Sequence, residues 1–200
     1  MSVQSELQVI SGRLERGEID SAQYLEQMLR YVAAQVGCAR AGLRVFVDTA
    51  EGRALRCVAM YDAATDHMIT AIDIQQAGGA AYHERLQRDG SVIAARNDAI
   101  SAGPLRDYFD ASKVVSLMDI GFSVNGVLFG TFSCEQLGEP GTWTQRQLQS
   151  LRRISARASL TLMHVVTASI DTTPGALWET STPNRLATMP IPLEPEPPDK

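Results

Sequence analysis

Apolar residues at Val3, Leu7, Ile10 and Leu14 recur every three or four positions, which places them on one side of a helix. Leu25, Met28, Leu29, Val32 and Val36 repeat that spacing in a second helix. Asp20 stands where an N-cap is wanted, and Gly37 where a left-handed residue closes a helix. The period then drops to two: Leu43, Val45 and Val47 alternate with Arg44, Phe46 and Asp48. Leu55 to Tyr61 and Ile69 to Ile74 read as two further strands, joined by turns at Gly52 and over Ala63 to His67.

Gly78-Gly79 interrupts the strands, Ala80 to Arg88 forms a short helix ended by Asp89-Gly90, and Val92 to Ala95 is a brief strand. Arg96 to Pro104 reads as a loop leading into a helical turn through Tyr108. Val114 to Val124 and Val127 to Cys134 are β-rich and flank Asn125-Gly126, a pair that two-residue hairpin turns favour because both central positions need positive φ. Such a turn sets Ser116 opposite Glu135, Met118 opposite Ser133 and Asp119 opposite Phe132, so Asp119 and Glu135 fall on opposite faces unless a bulge intervenes. Thr144 opens the last helix, with Gln147 completing a capping box and Leu148, Leu151, Ala158, Leu162 and Val165 along one side.

This order predicts an α+β fold: an antiparallel sheet with the terminal helices on one face and a central helix and loops covering the other. Seven of the nine prolines follow residue 173, where missing backbone donors block helix and strand alike. The expected organisation is an N-terminal helix over 1–19, a domain over 20–170 and a Pro-rich disordered tail over 171–200.

Composition narrows the function. Two hundred residues, 44% hydrophobic and 20% charged, suit one globular domain. The tail holds five acids against Arg185 and Lys200, leaving residues 1–170 with 16 basic against 18 acidic groups. That balance offers no basic face for nucleic acid. No apolar run approaches the roughly 18 residues of a membrane span, and Glu6, Glu15 and Glu18 occupy the stretch a signal peptide would keep apolar, so a soluble, cytoplasmic protein is expected. Arg outnumbers Lys 16 to 2, which we read as the coding bias of a GC-rich bacterial genome. Cys38, Cys57 and Cys134 make no CxxC pair, and His67, His83 and His164 are scattered, so neither a disulfide framework nor a metal site is expected. The chain has no GxSxG elbow and no phosphate-cradling glycine loop, and no catalytic residue is assigned.

From Ser116 to Ala156 the chain carries a strand with Ser116, Leu117 and Asp119, a hairpin with Gly126, Leu128 and Gly130, and a strand ending at Cys134-Glu135. Trp143-Thr144 and a long helix follow. With Tyr82, Leu86, Val92-Ile93 and Asp98 upstream, the sequence resembles the GAF-domain family over roughly residues 22–168. The resemblance implies a regulatory module whose antiparallel sheet holds a small ligand in an enclosed pocket and which commonly dimerises through its terminal helices. Relatives bind cyclic nucleotides, bilins, haem, nitrate or other small molecules. It also places Asp119 and Glu135 near the pocket, with Tyr82, His83, Arg96, Asp98 and Tyr108 as lid groups; among these, the Arg96 guanidinium would select an anionic or planar ligand. Each has a structural alternative: Asp119 capping a backbone donor, Arg96 and Asp98 pairing with each other, Tyr108 lying in the core.

Departures from the family pattern weigh against several subtypes. Tyr82-His83 stands where bilin-attaching relatives carry Cys-His, which rules out a thioether there. No cysteine lies between Cys57 and Cys134, where the methionine-sulfoxide-reducing branch has its thiols, and Cys134 reads as a small buried apolar residue. The charged set of cyclic-nucleotide binders is not evident. The expectation is a small-molecule-binding sensory domain, homodimeric, without catalysis of its own and acting on a partner signalling protein; the ligand is not named by the sequence. The alternatives are a GAF-fold interaction or scaffolding protein without ligand and, less favoured, a methionine-sulfoxide-reductase-like enzyme. Polar side chains converging on a void favour sensing, and an over-filled interior favours scaffolding. The stripe Leu148, Leu151, Ser155, Ala158, Leu162 and Val165 serves either a partner helix or the chain's own sheet.

Overall fold

Asp20 accepts the backbone N–H of Gln23, and the Gln23 side chain accepts the N–H of Asp20 in return, a full capping box that opens one helix of the bundle. In the computed structural model, which describes residues 3–50, 52–75, 80–124, 127–139 and 141–170, this is α2 (Ser21–Val36), preceded by α1 (Val3–Glu15). Gly37 ends α2 with a φ of 72°, the left-handed conformation expected of it. The order continues through β1 (Arg40–Thr49), β2 (Gly52–Asp62), β3 (His67–Ile69), α3 (Ala80–Asp89), β4 (Ser91–Ala95), α4 (Pro104–Ser112), β5 (Val114–Val124), β6 (Val127–Leu137) and α5 (Gln145–Ile170). The Gly78-Gly79 break, the Asn125-Gly126 turn and the tail over 171–200 lie outside the described residues. Among the described residues, no helix is long and apolar enough to cross a membrane.

The six strands form one antiparallel sheet in the order β3-β2-β1-β6-β5-β4, the α+β arrangement that the alternating periods predict. One face packs on the helices: Leu7 and Ile10 of α1, Met28 and Leu29 of α2, and Leu151, Ala158 and Leu162 of α5 share a core with Leu43, Phe132 and Met118. From Leu148 to Leu162 the α5 stripe therefore serves its own sheet, Ser155 included at 2% exposure. The opposite face carries a second core, in which Leu86 of α3 and Leu105 and Phe109 of α4 pack on Leu55, Val92 and Leu117. Pro104 starts α4 where its missing N–H is not needed, and the helix runs to Ser112 rather than stopping as a turn at Tyr108.

Two expectations need correction. In place of the strand expected over Ile69 to Ile74, β3 is His67–Ile69 and ends where that strand should begin; Ile74 returns to the sheet through a single bridge to Leu55. Between them the Asp73 carboxylate accepts the Cys57 N–H at 2.8 Å, a side chain taking the place of the strand carbonyl. The hairpin register also shifts. Val124 faces Val127 and Ser123 faces Leu128 as a two-residue turn requires, but Phe129 is an extra residue, and beyond it Phe122 faces Gly130 and Asp119 faces Ser133. Phe129 turns to the helix-side core, with its ring 5.9 Å from that of Phe122. Because side chains alternate along a strand, the slip brings Asp119 and Glu135 to the same face.

Gly130 makes this crossing possible: a Cβ built there would lie 2.0 Å from the Arg44 carbonyl oxygen. Gly130→Ala is expected to force β1 and β6 apart and to destabilise the fold by about 2 to 3 kcal/mol, measurable as a lower urea midpoint.

Candidate functional site

Across the sheet face opposite α1, α2 and α5, the register lines up polar residues from three adjacent strands. Gly42, Ser133 and Asp119 form one row, with Arg44 and Thr131 beside it. In β1 the alternation that sends Leu43 and Val45 to the helices sends Arg44 the other way, beneath α3 and α4, where it is fully buried. A bulge at Val58 of β2 sits beside it, so Arg44 pairs with Cys57. Gly42 leaves room for the side chain of Met60, which would otherwise lie 2.6 Å from a Cβ.

Arg44 is the centre of the site. One Nη donates to the Ile72 carbonyl at 2.9 Å; the other reaches the Tyr108 hydroxyl at 2.6 Å and Glu135 Oε1 at 3.3 Å. Tyr108 in turn donates to Glu135, and its ring lies 4.7 Å from the guanidinium carbon, a cation–π contact. Burial alone would push Arg44 down, but its surroundings, with the Glu135 and Asp119 carboxylates among them, outweigh it and hold the group charged. Tyr108 is pushed up by burial and by Glu135, so its hydroxyl stays a donor. A second triad lies alongside: Tyr82 of α3 and Ser133 of β6 both donate to Asp119. Burial lifts Asp119 to about 6, against the lowering effect of those two hydrogen bonds and of Arg44. Arg44 Nε, Thr131 Oγ1 and Glu135 Oε2 are buried without a hydrogen-bond partner.

An open cleft of about 590 Å³ adjoins the cluster, lined by Ile72, Asp73, Pro104, Asp107, Tyr108 and Ala111 among others. Tyr108 belongs to both: it lines the cleft and its hydroxyl closes the Arg44–Glu135 pair.

Four of the seven residues singled out from the sequence, Tyr82, Tyr108, Asp119 and Glu135, thus meet in one buried cluster. The other three do not join it. His83 is half-buried edge-on to Phe46 at 5.3 Å, its pKa lowered by burial and by Arg53. Arg96 is exposed and ion-paired with Asp110, not with Asp98. Asp98 is exposed too and accepts the Ala95 N–H at 2.7 Å, closing a local turn. Asp119 answers hydroxyls rather than a backbone donor. Arg44, Thr131 and Ser133 were not anticipated as site residues. The signal for Arg44 lies in its position: a charged residue on a central strand whose faces are both covered has no route to water.

No protein-family profile and no curated protein sequence matches the chain. Solved structures do. A phycoerythrobilin-bound GAF domain from a cyanobacterial phytochrome aligns with a TM-score of 0.64 at 13% identity, over 84% of this chain and 98% of that one. The phycocyanobilin-bound GAF domain from a cyanobacterial phytochrome gives 0.63 at 12%, over 87% and 99%. A point variant of the chromophore-binding domain of Stigmatella aurantiaca bacteriophytochrome gives 0.58 at 18%, over 82% of this chain but only 60% of that longer one. The chain has the GAF-domain fold.

Two outcomes are expected at the buried cluster. Arg44→Leu should destabilise the protein by about 3 to 5 kcal/mol, because Glu135 is left charged and uncompensated, whereas Arg44→Leu with Glu135→Leu should recover most of that loss; urea unfolding of both variants measures it. Asp119 binds its proton more tightly folded than unfolded, so its contribution to stability is complete below about pH 4 and is lost as pH rises toward about 6. The stability difference between wild type and Asp119→Asn, which cannot ionise, should change by about 2 to 3 kcal/mol across that window and be flat above it.

Proposed function

We propose that the chain is a sensory, small-molecule-binding domain that signals as a homodimer through a partner protein and has no catalysis of its own. The observation that carries this reading is the buried cluster beside the cleft, with Arg44 Nε and Glu135 Oε2 left without partners under a wall formed by Tyr108. Unpaired buried groups of this kind are costly unless something completes them. GAF domains of the same fold from cyanobacterial phytochromes hold phycocyanobilin and phycoerythrobilin, which supports a ligand on this fold. Fold alone does not choose the ligand. In this reading Tyr82, Tyr108, Asp119 and Glu135 belong to the inner site, with His83, Arg96 and Asp98 toward its rim, and the location is the cytoplasm.

The scaffolding alternative has one observation in its favour: Arg44, Tyr82 and Met60 themselves fill much of the space over the sheet. For the dimer, the inward stripe of α5 is already used, which leaves the outer helix surfaces, where Val9 is 53% exposed.

Native mass spectrometry and absorbance of protein purified from its own source are expected to reveal a retained small molecule that leaves on mild denaturation. Protein that is ligand-free by both measures and binds nothing from a metabolite extract would favour the scaffolding reading. Light scattering at micromolar concentration should give twice the chain mass of 21.7 kDa.

A further inference from the structure

The sequence points to an anionic or planar ligand on account of Arg96, but Arg96 is engaged by Asp110 on the surface. The cleft has a different character. Ile72, Pro104, Ala111 and Tyr108 give it apolar and aromatic walls, Asp73 and Asp107 bring carboxylates, and none of its lining residues among those described is basic.

The two carboxylates differ in what already occupies them. Asp73 accepts the Cys57 N–H and has the Arg56 guanidinium 3.8 Å away. Asp107 lies in the first turn of α4, where the helix dipole favours a negative charge, and its side chain has no hydrogen bond or ion pair among the described residues. Behind Tyr108 stands Glu135, 1% exposed, with Oε2 unpartnered. The buried cation behind Tyr108, Arg44, is already shared by Glu135, the Tyr108 hydroxyl and the Ile72 carbonyl, and Arg56 stands only on the Asp73 side. Asp107, exposed at the edge of the cleft and without a counter-charge among the described residues, therefore favours a positive charge there.

We infer that the cleft between residues 71–75 and α4 takes a small organic cation, an ammonium or amidinium carried on an apolar or aromatic body, with Asp107 as its charge partner. This rests on the reading of the chain as a ligand-binding domain and adds the ligand's charge. The apolar body packs against Ile72, Pro104 and the Tyr108 ring, and the cationic head reaches Asp107 and the outer edge of Asp73.

Three near-isosteric probes isolate the charge: benzamidinium, neutral benzamide and benzoate, titrated into the full chain while backbone amide resonances are followed by NMR. Benzamidinium is expected to shift resonances at 71–75 and 104–111 and to bind about tenfold or more tightly than benzamide, with benzoate weakest. Added sodium chloride should weaken benzamidinium and leave benzamide unchanged. Asp107→Asn should weaken benzamidinium about five- to tenfold and keep benzamide within about twofold, which a merely structural role for Asp107 would not produce. Equal affinities, or benzoate binding best at the same resonances, would overturn the cationic assignment and leave the ligand-binding reading standing. Probes that perturb only other residues, in a protein that does retain a ligand on purification, would remove the cleft as the site.

Discussion

Everything on the far side of the sheet is arranged around one buried guanidinium. A charge as deep as Arg44 is tolerated only when its neighbours replace water, and here three elements do so: β6 through Glu135, α4 through Tyr108, and the segment after β3 through the Ile72 carbonyl. Such a pair contributes little net stability, since desolvation of both ions consumes most of their attraction. Its effect is on geometry. Tyr108 is held with its hydroxyl on the pair and its ring over the guanidinium, and that fixes where α4 lies on the sheet. Helix α3 is tied down in parallel by the Tyr82 hydroxyl on Asp119.

The cluster depends in turn on irregularities in the strands. Without the extra residue at Phe129, Asp119 would face the helices and the Tyr82–Asp119–Ser133 triad could not form. Without glycine at 130, the strand could not approach the Arg44 carbonyl. The extra residue therefore decides which polar groups share a face, and the glycine beside it lets the strands close. This is a common use of bulges beside binding sites.

Much of the architecture was legible in the sequence because it follows from period and caps: the helices from their apolar spacing, Asp20 and Gly37 at the ends of α2, Thr144 and Gln147 at the start of α5. The site was legible only in part. Tyr82, Tyr108, Asp119 and Glu135 came from a family likeness that aligns strands and helices. Arg96 and Asp98 failed to join them because side-chain direction in a loop is set by local partners, Asp110 for one and the Ala95 N–H for the other, that no periodicity encodes. Arg44 was passed over because an alternating strand with a charged residue reads as half-exposed; that it is covered on both faces depends on α4, far along the chain. The bulge has no sequence signature beyond the glycine that follows it.

The strands that carry the cluster are one layer thick. Glu135 faces the cleft side, while its chain neighbour Cys134 is buried under the helices with Leu43 and Met118. The Glu135 carbonyl also receives the N–H of Ala39, just after the end of α2. The sheet is thus a diaphragm: a displacement of Glu135 on one side has no slack to disappear into before it reaches the close-packed seat of α2 and α5 on the other. Under the proposed function, a ligand that moved Glu135 would reach the helices with no relay residues, through the two sides of one backbone.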